Sequence, residues 1–181
     1  AIEPRYGLMG LASLPGLPYG RVSKPTDDIQ YSNNALIAPY MDMTGFMFRI
    51  GNRKQNELLE TECQVVLAIN NPETKRRDFK GLELQIKKIN FLPLTWTIVH
   101  PIDDKSPMLG LTEKDLYDRD AEFVILIKSI TDTYFQTVYS RMSYKANETV
   151  WNARFIPMKQ KPHNDRSLSI NLKDIHDYEK V

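Results

Sequence analysis

The residues that could do chemistry in this sequence gather in "HPIDDKSP", residues 100–107. His100 is followed by Asp103 and Asp104, a combination that can move protons when a substrate is held beside it. Ser106 comes next, but a proline follows it and no Gly-x-Ser-x-Gly turn surrounds it, so it lacks the setting of an activated nucleophile. We favour a structural interpretation, in which His100 closes a strand and bonds a carboxylate of the loop. We therefore expect that the protein is not an enzyme.

Metal and redox chemistry has little support elsewhere in the sequence. The histidines His100, His163 and His176 are far apart, and none has the spacing of paired metal ligands. Cys63 is the only cysteine, so the chain forms no internal disulfide, and its strand-like surroundings predict a buried, inert thiol. No glycine-rich loop ends in Lys-Ser or Lys-Thr. We therefore expect neither a metal site nor an organic cofactor.

Charge is balanced over the whole chain and uneven only locally. The 181 residues carry 24 Lys and Arg against 23 Asp and Glu, a net charge of +1, which predicts no nucleic-acid partner. In "GNRKQN", residues 51–56, Arg53 and Lys54 follow a Gly-Asn turn. Together with Arg21 and Lys24 they form either an anion site or an ordinary solvated turn, and the sequence leaves both interpretations open.

The elements that must position these residues are β-strands. From residue 35 onward apolar and polar residues alternate with period two, as in "GFMFRI", where Phe46, Phe48 and Ile50 share one face. The run "AEFVILIKSI", residues 121–130, is almost continuously apolar and predicts a strand buried on both faces. Several short strands separated by turn residues predict an all-β fold, an antiparallel β-sandwich.

Short helices and a tripartite organisation complete the predicted architecture. Thr112, followed three residues later by Asp115, approximates a capping box and predicts a helix over 112–119; helical spacing recurs over 171–181. Residues 1–20 are apolar, but Arg5 and three prolines argue against a simple membrane-spanning helix. Residues 21–34 read as a polar linker, and residues 35–181 form the folded domain, which we expect to be soluble.

Several motifs in series resemble one known family. "WTIVHPIDDKSPMLGLT" is similar to a signature segment of the cytoplasmic domain of inward-rectifier potassium channels of the prokaryotic type. "YSNNALIAPY", "FMFRIGNRKQN", "LLETE", "FVILIKSITDT", "SRMSY" and "VWNARF" occur in the order found in that family. Residues 1–20 resemble the second half of its inner pore helix. The filter segment is absent, so the resemblance implies the cytoplasmic portion of a channel.

This resemblance implies an immunoglobulin-like sandwich that assembles as a homotetramer around an axial pore. Glu60 falls on the family's pore-facing acidic position, where potassium, magnesium or polyamines are attracted. Lys128 falls at a second position that is acidic in the family, and it would repel cations and partly cancel Glu60. Asp132 is the acid that could replace it. Ile130 and Phe135 fall at the constriction of the cytoplasmic pore; the alternative is that both are ordinary core residues.

Further implications concern membrane and subunit contacts. The family binds anionic phospholipid headgroups, and Arg21, Lys24 and Lys54 match basic positions there, with Arg53 beside them. Three residues nearby, Thr26, Asp27 and Asp28, stand where some members carry cations. The loop of His100, Asp103 and Asp104 resembles an intersubunit or gating contact. The resemblance places the chain at the cytoplasmic face of the cell membrane, joined to the transmembrane pore; the alternative is a freestanding immunoglobulin-like binding module.

Overall fold

The computed structural model describes residues 29–54, 56–162 and 168–181, and strands dominate this part of the chain. One α-helix, α1, spans Glu113–Asp118, and short 3-10 helices span Ala146–Glu148 and Leu172–His176. The strands are β1 Ile29–Tyr31, β2 Ala35–Tyr40, β3 Met43–Asn52, β4 Leu58–Asn70, β5 Arg77–Leu82, β6 Lys88–Phe91, β7 Thr95–Ile102, β8 Glu122–Thr131, β9 Thr137–Lys145, β10 Thr149–Trp151, β11 Ala153–Phe155, β12 Gln160–Pro162, β13 Leu168–Ile170 and β14 Tyr178–Lys180.

Two sheets form the sandwich. The first has the order β10–β2–β3–β7, with β1 pairing with the end of β3. The second has the order β5–β4–β8–β9, with β6 pairing with β4 beyond β5. Apart from the parallel pair β10–β2, the strands of both sheets pair antiparallel. The predicted all-β class and antiparallel sandwich are confirmed.

The main core lies between these sheets and follows the alternation seen in the sequence. Phe46, Phe48 and Ile50 on β3 are fully buried, and Phe46 stacks on Phe123 of β8 with ring centroids 4.2 Å apart. Each such side chain contributes about 1.5–3 kcal/mol by leaving water. Cys63 is buried in this core, as the sequence predicts.

The outer faces of the two sheets differ. The first is covered by β11 and β14, so Met47 is buried with Val99 and Phe155 in a second cluster. The second sheet is open: Leu126 on β8 is 37% exposed. The prediction that 121–130 is buried on both faces is therefore wrong for the outward face, because no described element of this chain covers it.

Of the two predicted helices, the first is confirmed and the second is wrong. Helix α1 has the expected capping box, because Thr112 Oγ1 accepts the Asp115 N–H while the Asp115 carboxylate accepts the Thr112 N–H at 2.8 Å. The helix predicted over 171–181 is wrong: a 3-10 turn is followed by strand β14, which pairs with β11. In the 3-10 turn, residues three apart share a face. Leu172 and Ile175 pack there against Gly51, where an added Cβ would lie 2.6 Å from Leu172 Cδ2.

The predicted boundaries need one adjustment. Strand β1, Ile29–Tyr31, lies inside residues 21–34, the stretch expected to be a linker, so residues 29–31 belong to the folded part. The N-terminal segment 1–20, the rest of that linker with Arg21, Lys24 and Thr26–Asp28, and also His163, lie outside the described residues.

Candidate functional site

A row of charged side chains crosses the open face of the second sheet. Lys88 of β6 is the register partner of Glu62 on β4, which is in turn the partner of Lys128 on β8. Tyr139 of β9 stands opposite Lys128 and ends the row. Directly paired residues of neighbouring strands project from the same face. The row therefore presents alternating positive, negative and positive charge on one surface.

The row borders a small hollow of about 220 Å³ lined by Glu62, Gln64, Leu126, Lys128 and Tyr139. Gln64 Nε2 donates to Glu62 Oε1 at 3.4 Å. Sequence reasoning singled out Lys128 but missed Glu62 and Lys88. Glu62 could have been found from the sequence, because Glu62 and Gln64 alternate with the buried residues Cys63 and Val65. Lys88 carries no such signal, because its register with β4 exists only in the folded sheet.

Glu60 lies beside this row on a β-bulge. The pairing of β4 shifts between Leu59 and Glu62, and the Glu60 backbone takes φ = 50°, a left-handed conformation that a non-glycine residue adopts at some cost. The bulge turns the Glu60 carboxylate to an ion pair with Lys88 Nζ. The hydrogen bond and charge of Glu60 raise the pKa of Lys88, with a further contribution from Glu62. Lys88 thus stays charged.

The predicted constriction residues lie in different places. Ile130 is half-buried within β8, between Leu59 and Thr137 of the adjacent strands. Phe135 sits at the tip of the β8–β9 turn, 76% exposed and with φ = 50°. The alternative that Phe135 is a core residue is wrong. A bulky side chain at positive φ and in solvent is the kind of strained feature that occurs at functional loops.

Backbone hydrogen bonds fix this apex loop, residues 132–136, to its surroundings. The Asp132 N–H donates to the Glu57 carbonyl at 3.1 Å, and the Thr131 N–H donates to the Gln136 carbonyl at 2.9 Å. Thr133 Oγ1 donates to the Asp132 carboxylate at 3.1 Å. Asp132 is therefore held at the base of the loop, half-buried.

The two described basic candidates face the apex loop. Arg53 and Lys54 line a groove of about 680 Å³ together with Thr133 and Tyr134. The groove also includes Asn56, whose Oδ1 is buried without a hydrogen-bond partner. The structure thus brings two of the four basic candidates and part of the apex loop to one groove, although they are far apart in the sequence.

His100 is buried and serves as an anchor. Its Nδ1 lies 2.6 Å from the Glu83 carbonyl, and because a carbonyl only accepts, Nδ1 carries the proton. Its Nε2 lies 2.8 Å from Ser106 Oγ and accepts from that hydroxyl. Ser106 Oγ in turn accepts the Met108 N–H at 3.1 Å. Burial lowers the pKa of His100, opposed by the Glu83 carbonyl and by Asp103.

The predicted bond from His100 to a loop carboxylate is wrong. Asp103 instead accepts the Lys105 N–H at 3.0 Å, and both Asp103 and Asp104 are exposed. The structure thus holds the loop from inside through Ser106 and leaves its two acids outward. Although Ser106 and His100 have the contact of a nucleophile and its base, Ser106 is only 8% exposed and its oxygen is already engaged.

Other chemistry finds no site in the described residues. Burial raises the pKa of the Cys63 thiol, which keeps it protonated and unreactive. Across the described ranges, no group of three or more metal-ligating side chains comes together. In the same part of the chain, no helix is both long enough and apolar enough to reach across a lipid bilayer.

Comparison with known proteins identifies the family to which this chain belongs. The family model of the inward rectifier potassium channel C-terminal domain matches residues 29–181. This chain therefore belongs to that family, and residues 29–181 correspond to its C-terminal domain.

Individual relatives bear potassium-channel names. Inward rectifier potassium channel Kirbac3.1 of Paramagnetospirillum magnetotacticum is 28% identical over 86% of this chain and 54% of its own length. The rat ATP-sensitive inward rectifier potassium channel 12 is 29% identical over 77% of this chain and 34% of its own. The bovine G protein-activated inward rectifier potassium channel 1 is 27% identical over 81% and 31%. The chain thus spans about half or less of the relatives it matches.

Proposed function

We propose that this chain is the cytoplasmic, pore-extending and regulatory domain of a homotetrameric inward-rectifier-type potassium channel at the cell membrane. The single observation that carries the proposal is the open outer face of the second sheet. It bears the charged row and Glu60, and no described element covers it. In the ring, this face lines a water-filled tunnel that continues the transmembrane pore. The family membership supports this assignment.

Ring formation is what makes single side chains effective. One Glu60 per subunit becomes four carboxylates around a narrow axis, and walls of low dielectric focus their potential into the tunnel. Potassium passes such a ring, while magnesium and polyamines bind it more strongly because they carry more charge. Lys128, on the same face, opposes this attraction, and Asp132 supplies a further negative charge at the base of the apex loop.

The apex loop supplies the gate in this proposal. Phe135 projects into solvent in the single chain, and four copies around the axis place an apolar ring where water and cations must pass. Ile130, two residues beyond Lys128 on the same face of β8, contributes to the wall below the tip.

Lipid sensing follows from the groove beside this gate. Arg53 and Lys54, together with Arg21 and Lys24 of the linker, attract anionic phospholipid headgroups. Because Arg53, Lys54 and Tyr134 line one groove, an occupied headgroup site would bear directly on the apex loop. The loop of Asp103 and Asp104, anchored by His100, faces outward and pairs with cations of a neighbouring subunit.

The decisive test is the oligomeric state with its charge dependence. We expect light scattering coupled to size exclusion to show a tetramer that forms with rising concentration. Titration calorimetry with magnesium should show weaker binding for Glu60→Gln, while the matched control Glu83→Gln, another exposed acid in an ion pair, leaves binding unchanged. A monomer at every concentration would contradict the tunnel and favour a freestanding binding module.

Lipid sensing is tested separately with vesicles. Lys54→Glu should reduce co-sedimentation with vesicles that contain a phosphoinositide, whereas Lys80→Glu, which reverses an exposed lysine on β5 away from the groove, should not. Equal binding by wild type and Lys54→Glu would remove Lys54 from the headgroup site.

A further inference from the structure

The cation position at Glu60 is already occupied by a cation of the chain itself. The Lys88 ammonium forms an ion pair with the Glu60 carboxylate and is also the register partner of Glu62. Its side chain is 51% exposed and that of Glu60 is 45% exposed, so water and solutes reach both partners. An alkylammonium group is also the chemical group with which a polyamine binds a carboxylate.

The charges of this part of the sheet cancel within one chain. Two carboxylates, Glu60 and Glu62, face two ammonium groups, Lys88 and Lys128, so their sum is zero. A ring of four chains then presents alternating charge at this level rather than a purely negative belt. An entering polyvalent cation meets no net attraction here until one ammonium moves away.

The two partners of the pair are held differently. Glu60 projects from a bulge whose left-handed backbone is fixed by pairing of β4 with β8 on either side. Lys88 is the first residue of a short edge strand and carries its charge on a flexible four-carbon stem. The carboxylate therefore stays in place while the ammonium can swing into solvent.

We infer that Lys88 is a tethered competitor that sets how strongly polyvalent cations bind at Glu60. This inference rests on the proposed tunnel and adds to it a residue that tunes its cation selectivity. When magnesium or a polyamine binds, its charge replaces the Lys88 ammonium at Glu60. Monovalent potassium does not compete effectively, because it brings no more charge than the lysine already supplies.

The test compares wild type with five variants by calorimetry with spermine, at an ionic strength low enough to preserve surface electrostatics; one of them is Glu60→Gln alone, which should bind spermine more weakly. Lys88→Gln should tighten spermine binding by about two- to fivefold, the range that a solvent-exposed ion pair supports. Lys88→Arg keeps the charge and should bind as wild type does. Lys87→Gln removes the neighbouring lysine, which pairs with Glu83 instead, and should also leave the affinity unchanged. The double variant Glu60→Gln, Lys88→Gln should lose the gain.

The outcomes separate the two proposals. If the chain is tetrameric and Glu60→Gln weakens spermine binding, but Lys88→Gln equals wild type, the tethered-competitor inference is wrong and the tunnel stands. If no tetramer forms, or if Glu60→Gln leaves binding unchanged even in the Lys88→Gln background, the proposed function falls and the inference with it. Circular dichroism of each variant checks that the sandwich is intact.

Discussion

Replacing Ser106 by alanine tests the anchor of the acidic loop directly. Its hydroxyl donates to His100 Nε2 at 2.8 Å and accepts the Met108 N–H at 3.1 Å, and all three groups are buried. In Ser106→Ala, both His100 Nε2 and the Met108 N–H lose their partner without gaining access to water. A buried group left without its hydrogen bond costs about 1–3 kcal/mol. For the two groups together we expect a loss of about 2–6 kcal/mol in the free energy of unfolding.

The measurement is urea denaturation followed by the fluorescence of Trp96 and Trp151, at one fixed protein concentration so that assembly does not shift the midpoint. The matched control is Ser143→Ala on β9, a half-buried serine whose hydroxyl makes no hydrogen bond within the described part of the chain; there we expect a change within about 0.5 kcal/mol. If Ser106→Ala unfolds as the control does, the His100–Ser106 contact does not anchor the loop and the reasoning is wrong.

Two further predictions use other features of the fold. Burial depresses the pKa of His100 in the folded state, so below a pH of about 6.5 the unfolded chain binds more protons than the folded one. The contribution of His100 to the free energy of unfolding should therefore be constant above that pH and fall below it. In urea titrations between pH of about 5 and about 8, His100→Gln should reduce this pH dependence. A slope equal in both proteins would refute it. Phe135→Gly should raise the free energy of unfolding by about 0.5–1 kcal/mol by relieving the positive φ, whereas Tyr134→Gly at the same exposure should lower it; equal effects would argue against strain.

The core of the sandwich could be predicted from the sequence, because burial of one face of a strand places an apolar residue at every second position. Phe46, Phe48 and Ile50 had to share a face, and the structure buries all three. The capping box at Thr112 could also be predicted from the sequence, since both of its hydrogen bonds join residues three positions apart. Such local rules failed over 171–181, where the contact of Leu172 with Gly51, distant in sequence, favours a 3-10 turn followed by a strand.

The candidate site could likewise be predicted only in part. The acid at 60 and the lysine at 128 could be proposed from motifs in the sequence, and the exposure of Phe135 could not. The partner of Glu60 escaped prediction because Lys88 reaches it through a bulge and a strand register that form only when β6 pairs with β4. The carboxylate expected on His100 was replaced by Ser106 and the Glu83 carbonyl for a similar reason.

The sequence by itself determined which residues are strand-forming, which face of each strand is apolar, and which family the chain resembles, because these depend on side-chain type and local spacing. Only the tertiary structure decided which charges neutralise one another, which loop lies against which, and which face of the sandwich stays uncovered. Those properties depend on distances between residues remote in the chain, and such distances are set by sheet register and packing.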